Sequence, residues 1–167
     1  AESSLTISGI KYVIEPGYEL SSYYDPEMMA NRLDRQRITK AQARQRMGRS
    51  GRTGPGVCYH LYTKDEYDRM RDFPEPEIRT SDITSECVRL LNTSYINSVE
   101  KLVKVFTEFI EPPREQYIRI AIKKMRGLGL VKSGQITELG RIVNDLRVTM
   151  PELGVALVYA YMLGVVF

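Results

Sequence analysis

The periodicity of this chain changes at about Thr80, and no other feature constrains its fold as strongly. Before that point apolar residues alternate in short runs cut by glycine and proline; after it they recur at helical spacing. In the first part, Leu5, Ile7, Ile10, Tyr12 and Ile14 form an alternation broken at Ser8-Gly9 and stopped at Pro16-Gly17, which predicts two short strands or one bulged strand. Tyr18–Tyr24 and Ala30–Arg37 flank Asp25-Pro26-Glu27, where proline at the second turn position favours a tight reversal, so a polar hairpin is expected. Thr39-Lys40-Ala41-Gln42 fits the Ser/Thr-x-x-Glu/Gln capping box that opens a helix. That helix cannot run far past Gly48, Gly51 and Gly54. Val57, Tyr59 and Leu61 then alternate with Cys58, His60 and Tyr62 as a strand, and Asp65 to Arg71 reads as a short surface helix ended by Pro74 and Pro76.

Beyond Thr80, Val88 and Leu91, then Val99, Leu102, Val103 and Phe106, mark two amphipathic helices. Pro112-Pro113 breaks the chain before a third, in which Ile118, Ala121, Ile122, Met125 and Leu128 keep the i, i+3, i+4, i+7 spacing. Gly127 and Gly129 end it, and Leu130-Val131 to Gln135-Ile136 turns at Gly134 as a small hairpin. Three helices followed by such a wing describe a winged-helix domain, and a further helix covers Glu138 to Leu146. Leu153 to Phe167 carries no charge, but its 15 residues fall short of the roughly 20 that a membrane span needs. It reads as a core helix whose packing partners lie beyond the chain, and the start without Met reads the same way, as the edge of a fragment.

Composition narrows the function classes. Hydrophobic residues at 43% and charged residues at 27% describe an ordinary globular protein and exclude a disordered or disulfide-scaffold chain. Cys58 and Cys87 are the only cysteines and His60 the only histidine, which leaves no zinc site and no His-based acid/base catalysis, and favours a reducing intracellular compartment. The net charge is only +3, but between Asn31 and Arg52 eight cations face the single acid Asp34. That stretch calls for an anionic partner, either nucleotide phosphate or a nucleic-acid backbone.

Within it lies Gln45-Arg46-Met47-Gly48-Arg49-Ser50-Gly51-Arg52-Thr53-Gly54-Pro55-Gly56. On a continuous helix Gln45, Arg49 and Arg52 share one narrow sector, so an amide and two forked guanidiniums face one way, a set suited to phosphate oxygens and an oriented water. The glycines allow a close backbone approach.

This segment resembles motif VI (Q-R-x-G-R-x-G-R) of superfamily 2 helicases, and the whole chain resembles their DEAH/RHA group. Ala1-Glu2-Ser3-Ser4-Leu5-Thr6-Ile7-Ser8-Gly9-Ile10 is similar to the group's motif V, A-E-T-S-[IL]-T-I-D-G-I. Gly54 to Thr63 looks like the strand that follows motif VI, and Glu111-Pro112-Pro113 resembles the Asp-Pro-Pro run before the winged helix. The resemblance implies the α/β end of a RecA-like domain, the second of two, over 1–79. It further implies an α-rich winged-helix domain over 80–148 and the first helix of a helical ratchet domain over 149–167. It implies an ATP-dependent helicase, acting on RNA or DNA and more readily RNA, that couples hydrolysis to 3'-to-5' translocation. ATP and Mg2+ would be held mainly by a first RecA-like domain outside this chain, the remaining domains of the same helicase would be its partners, and no membrane would be involved.

Residue by residue, the resemblance implies that Gln45 meets the γ-phosphate or attacking water and that Arg49 and Arg52 act as arginine fingers. Gly48, Ser4, Thr6 and Ser8 fall at nucleotide-binding positions, with Ser8 where the group usually has Asp. Met29 stands where the hairpin usually has a turn glycine. Tyr23, Tyr24, Arg35 and Arg37 on the hairpin are candidates for nucleic-acid contact, the tyrosines as stacking platforms. No G-x-x-x-x-G-K-[ST] loop and no acidic metal-binding motif occurs, so the chain alone is expected not to hydrolyse ATP. A rival reading is a winged-helix nucleic-acid-binding module without catalysis, because Arg114, Arg119, Lys123, Lys124 and Arg126 decorate the third helix.

Overall fold

A computed structural model describes residues 7–165. Packing divides them into two units: one up to Tyr23 together with Asn31–Glu75, the other Tyr24–Ala30 together with the chain from Pro76 onward.

In the first unit, β1 (Tyr12–Glu15) pairs in parallel with β4 (Val57–His60), in the register Tyr12↔Val57 to Glu15↔His60. Parallel neighbours need a crossover, which here contains the hairpin β2 (Tyr18–Asp25) and β3 (Ala30–Arg37), then helix α1 (Lys40–Met47). The expected capping box is present: Thr39 Oγ1 accepts from the Gln42 N–H, and the Thr39 N–H donates to Gln42 Oε1 at 2.9 Å. A second box, Thr63 with Glu66, opens the short helix α2 (Lys64–Asp68). Gly17 takes a φ of +83°, and a Cβ there would stand 2.7 Å from the Tyr62 ring. Tyr12, Ile14, Val57 and Tyr59 leave one face of the β1–β4 pair exposed, with Tyr12 stacked on Tyr59, while Glu15 is buried on the other face.

The second unit follows the helical periodicity. Helices α3 (Thr84–Leu91), α4 (Val99–Thr107) and α5 (Glu115–Gly127) precede a two-stranded antiparallel wing, β5 (Val131–Lys132) and β6 (Gln135–Ile136), and then α6 (Glu138–Asp145) and α7 (Pro151–Met162). Cys87, Leu91, Leu102, Phe106, Met125 and Leu130 form the centre of one apolar core. Gly140 and Gly154 are close-approach positions: a Cβ would meet the Leu130 carbonyl at 2.5 Å in one case and the Val143 side chain at 2.7 Å in the other. Helix α7 thus packs on α6 through Gly154, yet leaves Leu153, Leu157, Tyr161 and Met162 exposed, which fits its even apolar composition. Among the described residues no helix is long and apolar enough to cross a membrane.

The hairpin tip belongs to this second unit. Asp25 Oδ1 accepts from the Glu27 and Met28 N–H groups at 2.9 and 3.1 Å, the side-chain-to-backbone bonds by which Asp closes a turn. Met29 takes a φ of +49°, a left-handed conformation that glycine adopts without steric cost.

Candidate functional site

Gln45 to Gly56 is built on a short helix that stops early. Helix α1 ends at Met47, and the Gly48 N–H returns to the Arg44 carbonyl at 2.9 Å. From there the backbone tightens: Arg49 N–H reaches Arg46 O, Ser50 N–H reaches Met47 O and Gly51 N–H reaches Gly48 O, each a three-residue closure. Gln45 is therefore on the helix, Arg49 in the tight turns after it and Arg52 in the bend beyond. The single helical sector expected from the sequence is corrected here, because the helix ends at Met47 and the tight turns that start at Gly48 break the 100° progression before it reaches Arg49. Gln45 and Arg52 are exposed and Arg49 is half-buried.

Two contacts pin this segment from beneath. Ser50 is 4% exposed, its Oγ donates to the Met47 carbonyl at 2.9 Å, and a Cβ on Gly56 would lie 2.0 Å from the Ser50 carbonyl oxygen. Only glycine lets the start of β4 close over the turn. The other pin is Arg46, whose Nη1 donates to both Glu15 oxygens at 3.1 Å and to the Tyr18 carbonyl at 3.1 Å. Glu15 Oε1 also accepts from the Gly17 N–H at 2.7 Å, and Gln42 Nε2 donates to Glu19. A buried carboxylate at the end of β1 thus holds the helix that carries Gln45. Its influence extends to neighbours: burial first, then the Glu15 charge, pushes the Cys58 thiol up and the Tyr62 phenol up to about 12.

Sequence reasoning passed over Arg46 and Glu15. The available signal was the phase of β1, which puts an acid on the side opposite to Tyr12 and Ile14, where only a paired charge is tolerated.

On the hairpin, the guanidiniums of Arg35 and Arg37 lie 4.5 and 4.4 Å from the centre of the Tyr18 ring, within cation–π range. Arg37 also pairs with Glu66 at 2.7 Å. Tyr18 is the aromatic platform that the sequence reading did not select. Tyr23 donates to Asp34 Oδ2 at 2.8 Å. Tyr24 is a correction: it is 4% exposed in the core of the second unit, its N–H donates to the Thr80 carbonyl, and its carbonyl accepts from the Tyr117 hydroxyl at 2.8 Å. A ring so enclosed offers no face to a base. Ser8 is exposed in a turn, whereas Ser4 and Thr6 lie outside the described residues. Among the described residues no three His, Cys, Asp or Glu side chains gather where a metal ion could be held.

No family model matches the chain. It is 39% identical over 166 residues to the Schizosaccharomyces pombe pre-mRNA-splicing factor ATP-dependent RNA helicase prp22, covering 98% of this chain and 14% of that protein. It is 37% identical over 158 residues to the Arabidopsis thaliana chloroplastic ATP-dependent RNA helicase DEAH12, covering 92% of this chain and 8% of that protein. The chain therefore spans a small part of the curated relatives that it matches. Among solved structures, the Escherichia coli DEAH/RHA helicase HrpB is similar with a TM-score of 0.78 at 29% identity, over 92% of this chain and 19% of that one. The homologues of this chain are DEAH/RHA ATP-dependent RNA helicases, and it corresponds to a segment of them.

Proposed function

We propose that this chain, homologous along nearly its whole length to a segment of DEAH/RHA helicases, is the part of an ATP-dependent RNA helicase that presents arginine donors to the nucleotide. The observation that carries the reading is the pinned turn. Arg46 on Glu15 and Ser50 under Gly56 hold Gln45, Arg49 and Arg52 on one short scaffold, and preorganised donors stabilise developing charge without reorganising during the reaction.

ATP supplies the phosphoryl group to be transferred. Arg49 and Arg52 offer planar forks to its β- and γ-oxygens as arginine fingers, a contribution of about 10³–10⁵ in rate in phosphoryl transfer. Gln45 orients the attacking water, and Gly48 leaves its backbone open to close approach. Ser4, Thr6 and Ser8 serve the nucleotide from the preceding loop; Ser8 meets a ribose with a hydroxyl in place of a carboxylate. The ligands of Mg2+ are assigned to the first RecA-like domain, as the resemblance to the DEAH/RHA group implies. The division into 1–79, 80–148 and 149–167 belongs to the same proposal. So does 3'-to-5' movement along RNA contacted by Tyr23, Arg35 and Arg37, to which Tyr18 is added as the ring that carries both cations.

The test is RNA-stimulated ATP hydrolysis by the full-length protein containing this chain. Arg52→Lys keeps the charge but loses the fork, and is expected to lower turnover about 10²-fold or more. Gln45→Ala is expected to lower turnover more than nucleotide affinity. Near-normal turnover in both Arg52→Lys and Arg52→Ala would sink the assignment.

A further inference from the structure

The second unit is electrically neutral but its charge is segregated. From Arg114 to Lys132 six cations stand against the single acid Glu115, so this stretch is strongly basic while the rest of the unit is acidic to the same extent. One of the six is engaged inside: Lys124 bonds Asp82 at 2.7 Å and pairs with Glu152. Arg119, Lys123 and Arg126 stand at i, i+4 and i+7 on the exposed side of α5, spread over about 10 Å of helix. Together with Val99 and Ile122 they line one cleft of about 360 Å³. Arg119 pairs with Glu115 at 2.7 Å, but both side chains are exposed, 74% and 86%, and such an i,i+4 pair holds only about 0.3–0.5 kcal/mol. The side chains of Lys123 and Arg126 make no hydrogen bond or ion pair among the described residues. The wing turn borders the cleft, because the Val99 N–H donates to the Gly134 carbonyl at 2.8 Å, and Lys132 is exposed on the same wing.

We propose that this face of α5, with the wing turn at its edge, is a second nucleic-acid site of the protein, binding the phosphodiester backbone of an RNA strand. Three cations about one helical turn apart match a polymer that repeats its charge. The aliphatic floor of Val99 and Ile122 accepts a ribose or base edge between them. The site shares no residue with the Gln45–Gly56 segment or the hairpin cations, and it rests on the reading of the chain as part of an RNA helicase.

The experiment uses the 167-residue chain and a fluorescein-labelled 12-nucleotide oligouridylate, with affinity measured between about 50 and 200 mM salt. Combined Arg119→Gln, Lys123→Gln and Arg126→Gln is expected to weaken binding tenfold or more at low salt. It should also reduce the slope of log affinity against log salt by about 2, since each single-strand phosphate contact contributes about 0.7. Arg119→Lys with Arg126→Lys, which keeps the charge, is expected to retain the slope, and all variants should melt like the parent because the altered side chains are exposed. An unchanged slope in the triple Gln variant, with binding lost instead in Arg35→Gln, would overturn this site and leave the helicase reading standing. No oligouridylate binding by the unsubstituted chain would overturn this site, while the helicase reading is judged separately by RNA-stimulated ATP hydrolysis of the full-length protein. Binding of polyglutamate that depends on these three cations, with RNA binding that does not, would assign the face to an acidic protein segment and overturn the proposal.

Discussion

Replacing Arg46 by Met is expected to destabilise the first unit more than any change at an exposed motif residue. Glu15 is 1% exposed and Arg46 19%, so the pair is largely removed from water, and deleting one partner of such a pair costs about 3–5 kcal/mol. Arg46→Met leaves Glu15 with a single donor, the Gly17 N–H at 2.7 Å, and the partial access of water at the arginine end places the expected cost near the lower limit, about 3 kcal/mol. The reverse change, Glu15→Gln, keeps an acceptor for Gly17 and leaves a guanidinium that still reaches the Tyr18 carbonyl and lies 3.7 Å from Glu19; about 1–2 kcal/mol is expected. The double variant should cost less than the sum, with a coupling of about 1–3 kcal/mol. Urea unfolding read by circular dichroism measures it: a loss of about 3 kcal/mol moves the midpoint by about 1 M or more. Hydrogen exchange at the α1 amides localises the loss. A cost under about 0.5 kcal/mol for Arg46→Met, or strict additivity in the double variant, would refute the claim that a buried carboxylate holds the motif helix.

Three further outcomes follow from the same packing. Gly56→Ala should force the turn away from β4, since the added carbon would stand 2.0 Å from the Ser50 carbonyl; a loss of about 2 kcal/mol or more in the same urea assay is expected, and one under about 0.5 kcal/mol would count against the close approach. Burial pushes the Asp82 carboxyl up, but hydrogen bonds from Lys124 and Thr84 outweigh it and hold the group below its ordinary 3.8; its contribution is therefore present above about pH 4 and lost as pH falls through the folded value. Asp82→Asn should flatten the acid limb of stability against pH, and an unchanged limb would contradict this. Met29→Gly removes a left-handed methionine with a φ of +49° and is expected to raise stability by about 1 kcal/mol, visible as a higher melting temperature.

What could be read from the sequence was what neighbours in the chain decide. The box joins Thr39 to Gln42 three positions on, the turn at Asp25 closes on residues two and three positions away, and both are present. The helices after Thr80 follow from their own apolar spacing. What escaped depends on partners far along the chain. Glu15 meets Arg46 across 31 positions and Tyr24 meets Tyr117 across 93, so no local pattern distinguishes a tyrosine that stacks on a base from one that fills a core. The motif shows both cases at once. Its residues were legible because arginine and glycine at these spacings serve phosphate, but their arrangement was not, since extrapolating a helix through Gly48 assumed the one thing that the tight turns starting at Gly48 undo. Gly56 reads as a loop residue until Ser50 is found beneath it, and only then does its lack of a side chain become the reason that the strand can close over the turn.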